Sequence, residues 1–156
     1  MSAEKLKIFI NGEYRLSETE DYVEVLNPST GEVDGLSPCA TKKEVEESIE
    51  VAHEAFKNWS RVPVIKRTEI LHKVRTLLIE RMDELTMLCA REHGKVWEEA
   101  KGDVLKAIEG TELAIQAPSL VMGESLMDAS SGYDTVSFRE PLGVFAGVCP
   151  FNFPAM

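Results

Sequence analysis

The sequence is poor in several things. Only three cysteines, Cys39, Cys89 and Cys149, occur in 156 residues, and they lie far apart. A disulfide framework or a structural zinc site needs more of them, more closely spaced. No stretch approaches the ~20 consecutive apolar residues of a membrane-spanning helix. The opening residues, Met1-Ser2-Ala3-Glu4-Lys5-Leu6-Lys7, are polar and lack a signal-peptide core. Basic residues are in deficit: 17 Lys+Arg stand against 27 Asp+Glu, a net charge of −10. Nucleic-acid and anionic-membrane surfaces are built from clustered Lys/Arg, so neither partner is expected. The sequence holds no Gly-x-Gly-x-x-Gly, no phosphate-binding loop, no His-Glu-x-x-His and no Cys-x-x-Cys. The remainder, 44% hydrophobic and 28% charged, is an ordinary globular composition. A chain of this length buries roughly 68–70% of its unfolded surface, enough for one core. A reduced, soluble, cytoplasmic protein is expected, with no metal site.

The chain begins with hairpin chemistry. Ile8-Phe9-Ile10 runs into Asn11-Gly12 and out through Glu13-Tyr14-Arg15. Asn-Gly tolerates the positive φ angles of a type I′ turn. Tyr22 to Leu26 reads as a second strand, closed by the turn residues Asn27-Pro28-Ser29-Thr30-Gly31. Helices follow. Thr41 and Glu44 have capping-box spacing, and Val45, Ile49, Ala52 and Phe56 recur behind them at helical period. Pro63 suits the start of a second helix, lined by Ile70, Leu71, Val74, Leu77, Leu78, Leu85 and Leu88, with a break near Met82 and a stop at Gly94. A third carries Ala100, Val104, Ile108, Thr111 and Ile115 on one face and is expected to end at Pro118. Tyr133 to Phe138 alternates as a half-exposed strand does. Val144-Phe145-Ala146-Gly147-Val148-Cys149 is a continuous apolar run that fits a strand buried on both faces of a parallel sheet. No further run of that kind follows it, so the chain reads as part of a larger polypeptide or as a short domain.

Candidate chemistry concentrates after that run. His53, His72 and His93 read as helix-surface or partly packed histidines, and Cys89 as a buried small hydrophobe. Cys149 reads either as buried or as a neighbour of a functional loop. In Pro150-Phe151-Asn152-Phe153-Pro154 two prolines impose an irregular, stiff backbone around one carboxamide. Loops at the carboxyl ends of parallel strands are where open α/β sheets bind ligands. A rigidly held amide NH₂ there can donate to a developing oxyanion; otherwise Asn152 is a turn residue between prolines.

The stretch from Arg139-Glu140-Pro141-Leu142-Gly143-Val144 through Pro150-Phe151-Asn152-Phe153-Pro154 resembles the entry to the cofactor site of the NAD(P)-dependent aldehyde dehydrogenase superfamily. Phe151 stands where that superfamily more often has Trp. Phe151-Asn152-Phe153-Pro154-Ala155-Met156 is similar to the CoA-acylating branch, the methylmalonate-semialdehyde dehydrogenases. The resemblance extends in order and spacing to Phe9-Ile10-Asn11-Gly12-Glu13, Asn27 to Val33, Ala55 to Ser60, Glu92-His93-Gly94-Lys95 and Ala117 to Gly123. It covers nearly all of this chain, and only the amino-terminal part of such an enzyme.

The resemblance implies an α/β fold: a β-hairpin arm, helices, an oligomerisation strand and the first strand of a Rossmann-like nucleotide-binding sheet. Residues 1–123 would form the arm and helical part, 124–140 the oligomerisation element, and 141–156 the start of the nucleotide-binding sheet. It makes Asn152 the catalytic oxyanion donor, and Cys149, Pro150 and Phe151 the segment lying along NAD. Lys106 takes the position where the methylmalonate branch usually has a substrate-binding Arg; Lys is cationic too, yet lacks the bidentate fork. The implied reaction takes a small-molecule aldehyde to an enzyme thioester on a cysteine that the family places beyond residue 156. Coenzyme A then accepts the acyl group, or water does in a hydrolytic relative. The chain alone is expected to be inactive. A homo-oligomer or a complementing carboxy-terminal part is the expected partner; a non-catalytic remnant binding a partner is the rival reading.

Overall fold

The computed structural model describes residues 3–156. A small three-stranded sheet forms from β1 (Glu4–Lys5), β4 (Tyr22–Leu26) and β5 (Val33–Pro38), in the order β1-β5-β4. β5 pairs antiparallel with β4 and parallel with β1. Between β1 and β4 the hairpin β2 (Ile8–Ile10) and β3 (Glu13–Arg15) closes as the sequence requires. Asn11 and Gly12 have φ of 53° and 81°, the left-handed pair of a tight hairpin turn.

Four long helices follow: α1 (Lys42–Trp59), α2 (Val64–Glu80), α3 (Met82–His93) and α4 (Trp97–Ile115). The Thr41–Glu44 capping box closes in both directions at α1. Pro63 immediately precedes α2, and the break near Met82 is a single non-helical residue, Arg81, at φ −105°. Gly94 caps α3 at φ 78°. α4 packs against α2 and α3. Its Ala100, Val104 and Ile108 form the buried core with Cys89 of α3. Burying a side chain the size of Val104 or Ile108 stabilises by about 1.5–3 kcal/mol.

Pro118 does not end α4. That helix stops at Ile115, and Pro118 stands in the first turn of a short helix α5 (Ala117–Leu120). A proline is tolerated there because a first-turn amide has no intrahelical acceptor to lose. A two-stranded ribbon follows, β6 (Ser125–Ser130) against β7 (Tyr133–Val136). The alternating run thus yields a strand that stops short of Phe138, its last tie being the Ser137 amide donating to Glu124 O at 2.8 Å.

The α/β class holds, with one correction. Val144–Cys149 forms no strand. A strand exists only as part of a ladder, and among the described residues no segment pairs with this one. Val148 is 98% exposed, and Cys149 is exposed rather than buried. The apolar run shows what the segment would bury, and the burial needs a neighbouring strand. Among the described residues no helix is long and apolar enough to cross a membrane.

Candidate functional site

The loop after that run folds back onto the helices. Its anchor is Asp103, on the same face of α4 as Ala100 and Val104. The Asp103 side chain has no accessible surface. Its Oδ1 accepts the Met156 amide at 3.0 Å, and its Oδ2 accepts the Ala155 amide and the Cys89 thiol, both at 3.3 Å. The Lys95 ammonium stands 3.7 Å from Oδ2.

Burial is the largest single influence on the Asp103 carboxyl and pushes it upward. The hydrogen bonds from Cys89, Ala155 and Met156, with the nearby Lys95 charge, together outweigh burial and hold it below the usual carboxylate range. Desolvating a carboxylate costs several kcal/mol. A charge-assisted hydrogen bond returns only about 1.5–3 kcal/mol, so no single donor suffices. The same geometry raises Cys89 to about 11, burial first and the Asp103 hydrogen bond second. Cys89 is therefore a buried neutral donor, as the apolar helix position suggested.

Lys95 follows the Gly94 cap and reaches the loop as well as Asp103. Its Nζ donates to the carbonyl of Asn152 at 2.6 Å and lies 4.5 Å from the centroid of the Phe153 ring. Asn152 and Phe153 on one side and His93, Lys95, Asp103 and Lys106 on the other line a cleft of about 480 Å³. The Asn152 carboxamide makes no hydrogen bond among the described residues. Lys106 lies three residues beyond Asp103 and pairs with Glu109 at 2.6 Å.

Two sequence-predicted residues, Asn152 and Lys106, thus share one cleft. Cys149, Pro150 and Phe151 do not line it and are exposed, Phe151 to 89%. The histidine of interest is His93, half-buried at the end of α3 and part of the cleft wall. Sequence reasoning assigned no role to Asp103 or Lys95. For Asp103 a signal existed: a charged residue set into the stripe Ala100–Val104–Ile108 must be satisfied internally. Lys95 carried no comparable signal.

Comparison with known proteins agrees with this architecture. Residues 14–156 match the family described as the aldehyde dehydrogenase family. A malonate-semialdehyde dehydrogenase 2 of Oceanobacillus iheyensis is 45% identical over 155 residues, covering 99% of this chain and 32% of that protein. A malonate-semialdehyde dehydrogenase of Bacillus pumilus is 44% identical over 97% of this chain and 31% of its own length. Among solved structures, the methylmalonate-semialdehyde dehydrogenase of Oceanimonas doudoroffii superposes with a TM-score of 0.92 at 37% identity, over 98% of this chain and 31% of its own. A Sinorhizobium meliloti protein assigned as a methylmalonate-semialdehyde dehydrogenase, crystallised with NAD, gives a TM-score of 0.92 at 34% identity, over 99% and 31%. The chain belongs to the aldehyde dehydrogenase family and spans about a third of the length of the relatives it matches.

Proposed function

We propose that this member of the aldehyde dehydrogenase family forms the amino-terminal part of an NAD-dependent, CoA-acylating semialdehyde dehydrogenase, with Asn152 as oxyanion donor. The observation that carries the reading is the cleft itself. A carboxamide without a partner among the described residues, on a loop tied at both Asn152 and Met156, shares a cleft with a helix bearing a cation, Lys106. An amide NH₂ stabilises a tetrahedral oxyanion without an acidic proton to lose. Lys106 supplies a positive charge suited to the carboxylate of a short acidic aldehyde, in exchange for its present partner Glu109.

Cys149, Pro150 and Phe151 fit a nucleotide-lining role. All three are exposed, and Phe151 offers an open ring face. NAD held there supplies the hydride acceptor for the aldehyde carbon. The chain's own task is to fix the carbonyl oxygen through Asn152 and to keep the loop from moving. A cysteine thiolate from the downstream part of the enzyme would first add to the aldehyde carbon, hydride loss to NAD would leave a thioester, and the coenzyme A thiol would take the acyl group and release that cysteine. Residues 1–123, 124–140 and 141–156 act as arm and helical part, oligomerisation element and opening of the nucleotide sheet. The enzyme works as a cytoplasmic homo-oligomer.

The test uses this chain joined at Met156 to the downstream remainder of the O. iheyensis relative. NAD reduction with malonate semialdehyde, with and without coenzyme A, should show CoA-dependent acyl-CoA formation. Asn152→Ala should slow turnover by roughly 10²–10³-fold with little change in NAD affinity. Free acid formed without coenzyme A supports the hydrolytic alternative. Full turnover in Asn152→Ala removes Asn152 from the chemistry.

A further inference from the structure

The loop bearing Asn152 is poorly able to hold itself. Pro150 and Pro154 contribute no amide hydrogens. Its only internal backbone hydrogen bond is the Phe153 amide to Pro150 O, a long 3.4 Å. Every polar tie from the loop to the helices, among the described residues, ends on one of two side chains. Lys95 holds the Asn152 carbonyl and lies against the Phe153 ring; Asp103 holds the Ala155 and Met156 amides. These two side chains also face one another, 3.7 Å apart and almost wholly buried. The result is a two-point clasp, one point at Asn152 and the other beyond Pro154, whose halves neutralise each other.

We propose that Asp103 is a positioning residue for Asn152, acting with Lys95 to set where the carboxamide points relative to the Lys106 side of the cleft. The proposal rests on the reading of Asn152 as oxyanion donor. Asp103 touches neither carbonyl nor cofactor in this scheme. It sits one helical turn before Lys106, so a single rigid segment of α4 carries both the anchor of the Asn152 loop and the cation of the cleft. α4 thereby carries one of the loop's two ties together with the cation of the cleft, and Lys95, just before α4, supplies the other at Asn152 itself. A carboxylate serves where a neutral amide would not: it presents acceptors on both oxygens, taking two successive backbone amides and the Cys89 thiol at once. A displacement of about 1 Å at such a donor is enough to cost up to ~10²-fold in rate.

The experiment is nuclear magnetic resonance on the chain itself, with Asp103→Asn, Asp103→Glu and Lys95→Met. In Asp103→Asn the Ala155 and Met156 amides should exchange at least about tenfold faster, the equivalent of one lost hydrogen bond. The Asn152 carboxamide should lose order while the Val104 and Ile108 amides keep their protection, and Asp103→Glu should recover part of the loss. Lys95→Met, which keeps the apolar stem, should disorder Asn152 more than Met156 and serves where Asp103→Asn unfolds. An Asn152 carboxamide equally ordered in the folded Asp103→Asn and Lys95→Met variants overturns the proposal. In the completed enzyme, Asp103→Asn should lower kcat roughly 10–10²-fold with KM for aldehyde and NAD unchanged. Added to Asn152→Ala it should lower kcat no further. Slow turnover in Asn152→Ala beside full turnover in Asp103→Asn defeats the clasp alone; full turnover in both defeats the oxyanion reading beneath it.

Discussion

Lys95 Nζ donates to the backbone carbonyl of Asn152 at 2.6 Å, across 57 residues of sequence. A charged donor occupies the main-chain oxygen of the residue whose side-chain nitrogen is proposed as the oxyanion donor. The contact restrains the loop and leaves the carboxamide free. Asn152→Asp is therefore a sharper probe than removal of the side chain. It keeps the shape and the Lys95 contact while replacing an NH₂ donor with an acceptor that repels an oxyanion. In a completed enzyme its turnover should fall at least as far as that of Asn152→Ala, roughly 10³-fold. Steady-state kinetics of both variants checks this, and a faster Asp than Ala variant contradicts it.

Cys89 should be chemically silent. Its thiol is held near 11 by burial and by Asp103, so almost no thiolate forms at neutral pH. Cys39 and Cys149 are exposed. A thiol-reactive dye should label two cysteines quickly in the folded chain and the third only on unfolding, with peptide mapping to identify it. The stabilisation tied to this raised value is complete below about 9 and is lost as pH climbs toward about 11. Rapid labelling of Cys89 under native conditions would show that the Asp103 pocket opens.

Glu44 gives the opposite pH dependence. Its carboxylate is pulled down to about 2, first by the Glu18 amide, then by the Ser17 hydroxyl and the Thr41 amide, against an opposing effect of burial. The distances are 2.9, 2.7 and 2.8 Å. A lowered carboxylate stabilises fully above its unfolded value, near 4.5, and that stabilisation disappears as pH falls toward about 2. Thermal melts followed by circular dichroism should drop steeply over this window. Glu44→Gln should melt lower at neutral pH and vary less below pH 4.5. A Gln variant with the same acid slope would place the titrating group elsewhere.

Gly94→Ala tests how α3 is joined to the sheet. Gly94 has φ +78°, and a Cβ there would lie 2.9 Å from Pro28 Cγ. The left-handed backbone alone costs a non-glycine residue roughly 1–2 kcal/mol, and the proline ring in the Asn27–Gly31 turn must also move. The midpoint of urea unfolding should fall with the slope unchanged. Because Lys95 follows directly, the cleft should loosen too. An unshifted midpoint would mean that the turn is free to retreat.

The features legible in the sequence are those that neighbouring residues decide. Asn11-Gly12, the Thr41–Glu44 box and the Gly94 cap each form with atoms only a few residues apart. β1 and β5 escaped notice because Glu4–Lys5 is polar and Val33–Pro38 carries Asp, Gly and Pro without alternation. Their ladder joins residues about thirty positions apart, as Glu4 opposite Gly35, and nothing local encodes that pairing. Val144–Cys149 fails in the opposite sense: its composition reads as a strand, but a strand needs a neighbour. At the cleft, Asn152 is legible as a carboxamide held between two prolines, and family resemblance adds its role; Lys106 is reached through the resemblance alone. Asp103 was passed over because an acidic helix residue reads as solvated unless its place on the apolar stripe is given weight.

The exposed apolar end should make the chain self-associate. Phe138, Leu142, Phe145, Val148 and Phe151 are each more than three-quarters exposed, and they fall on a segment with no ladder partner among the described residues. Scattered apolar side chains are normal on a surface; this many on one segment go beyond scatter and invite cover. The net charge of −10 opposes association over a longer range and is screened by salt, whereas burial of those side chains is not. Association should therefore strengthen with ionic strength as well as with concentration, which sedimentation velocity can follow. Phe145→Ser combined with Val148→Lys should weaken it and leave the helical circular dichroism intact, since neither residue touches the α2–α3–α4 core. A monodisperse monomer at every concentration and salt would show that the segment needs no partner, and an unweakened double variant would move the contact to the β6–β7 ribbon.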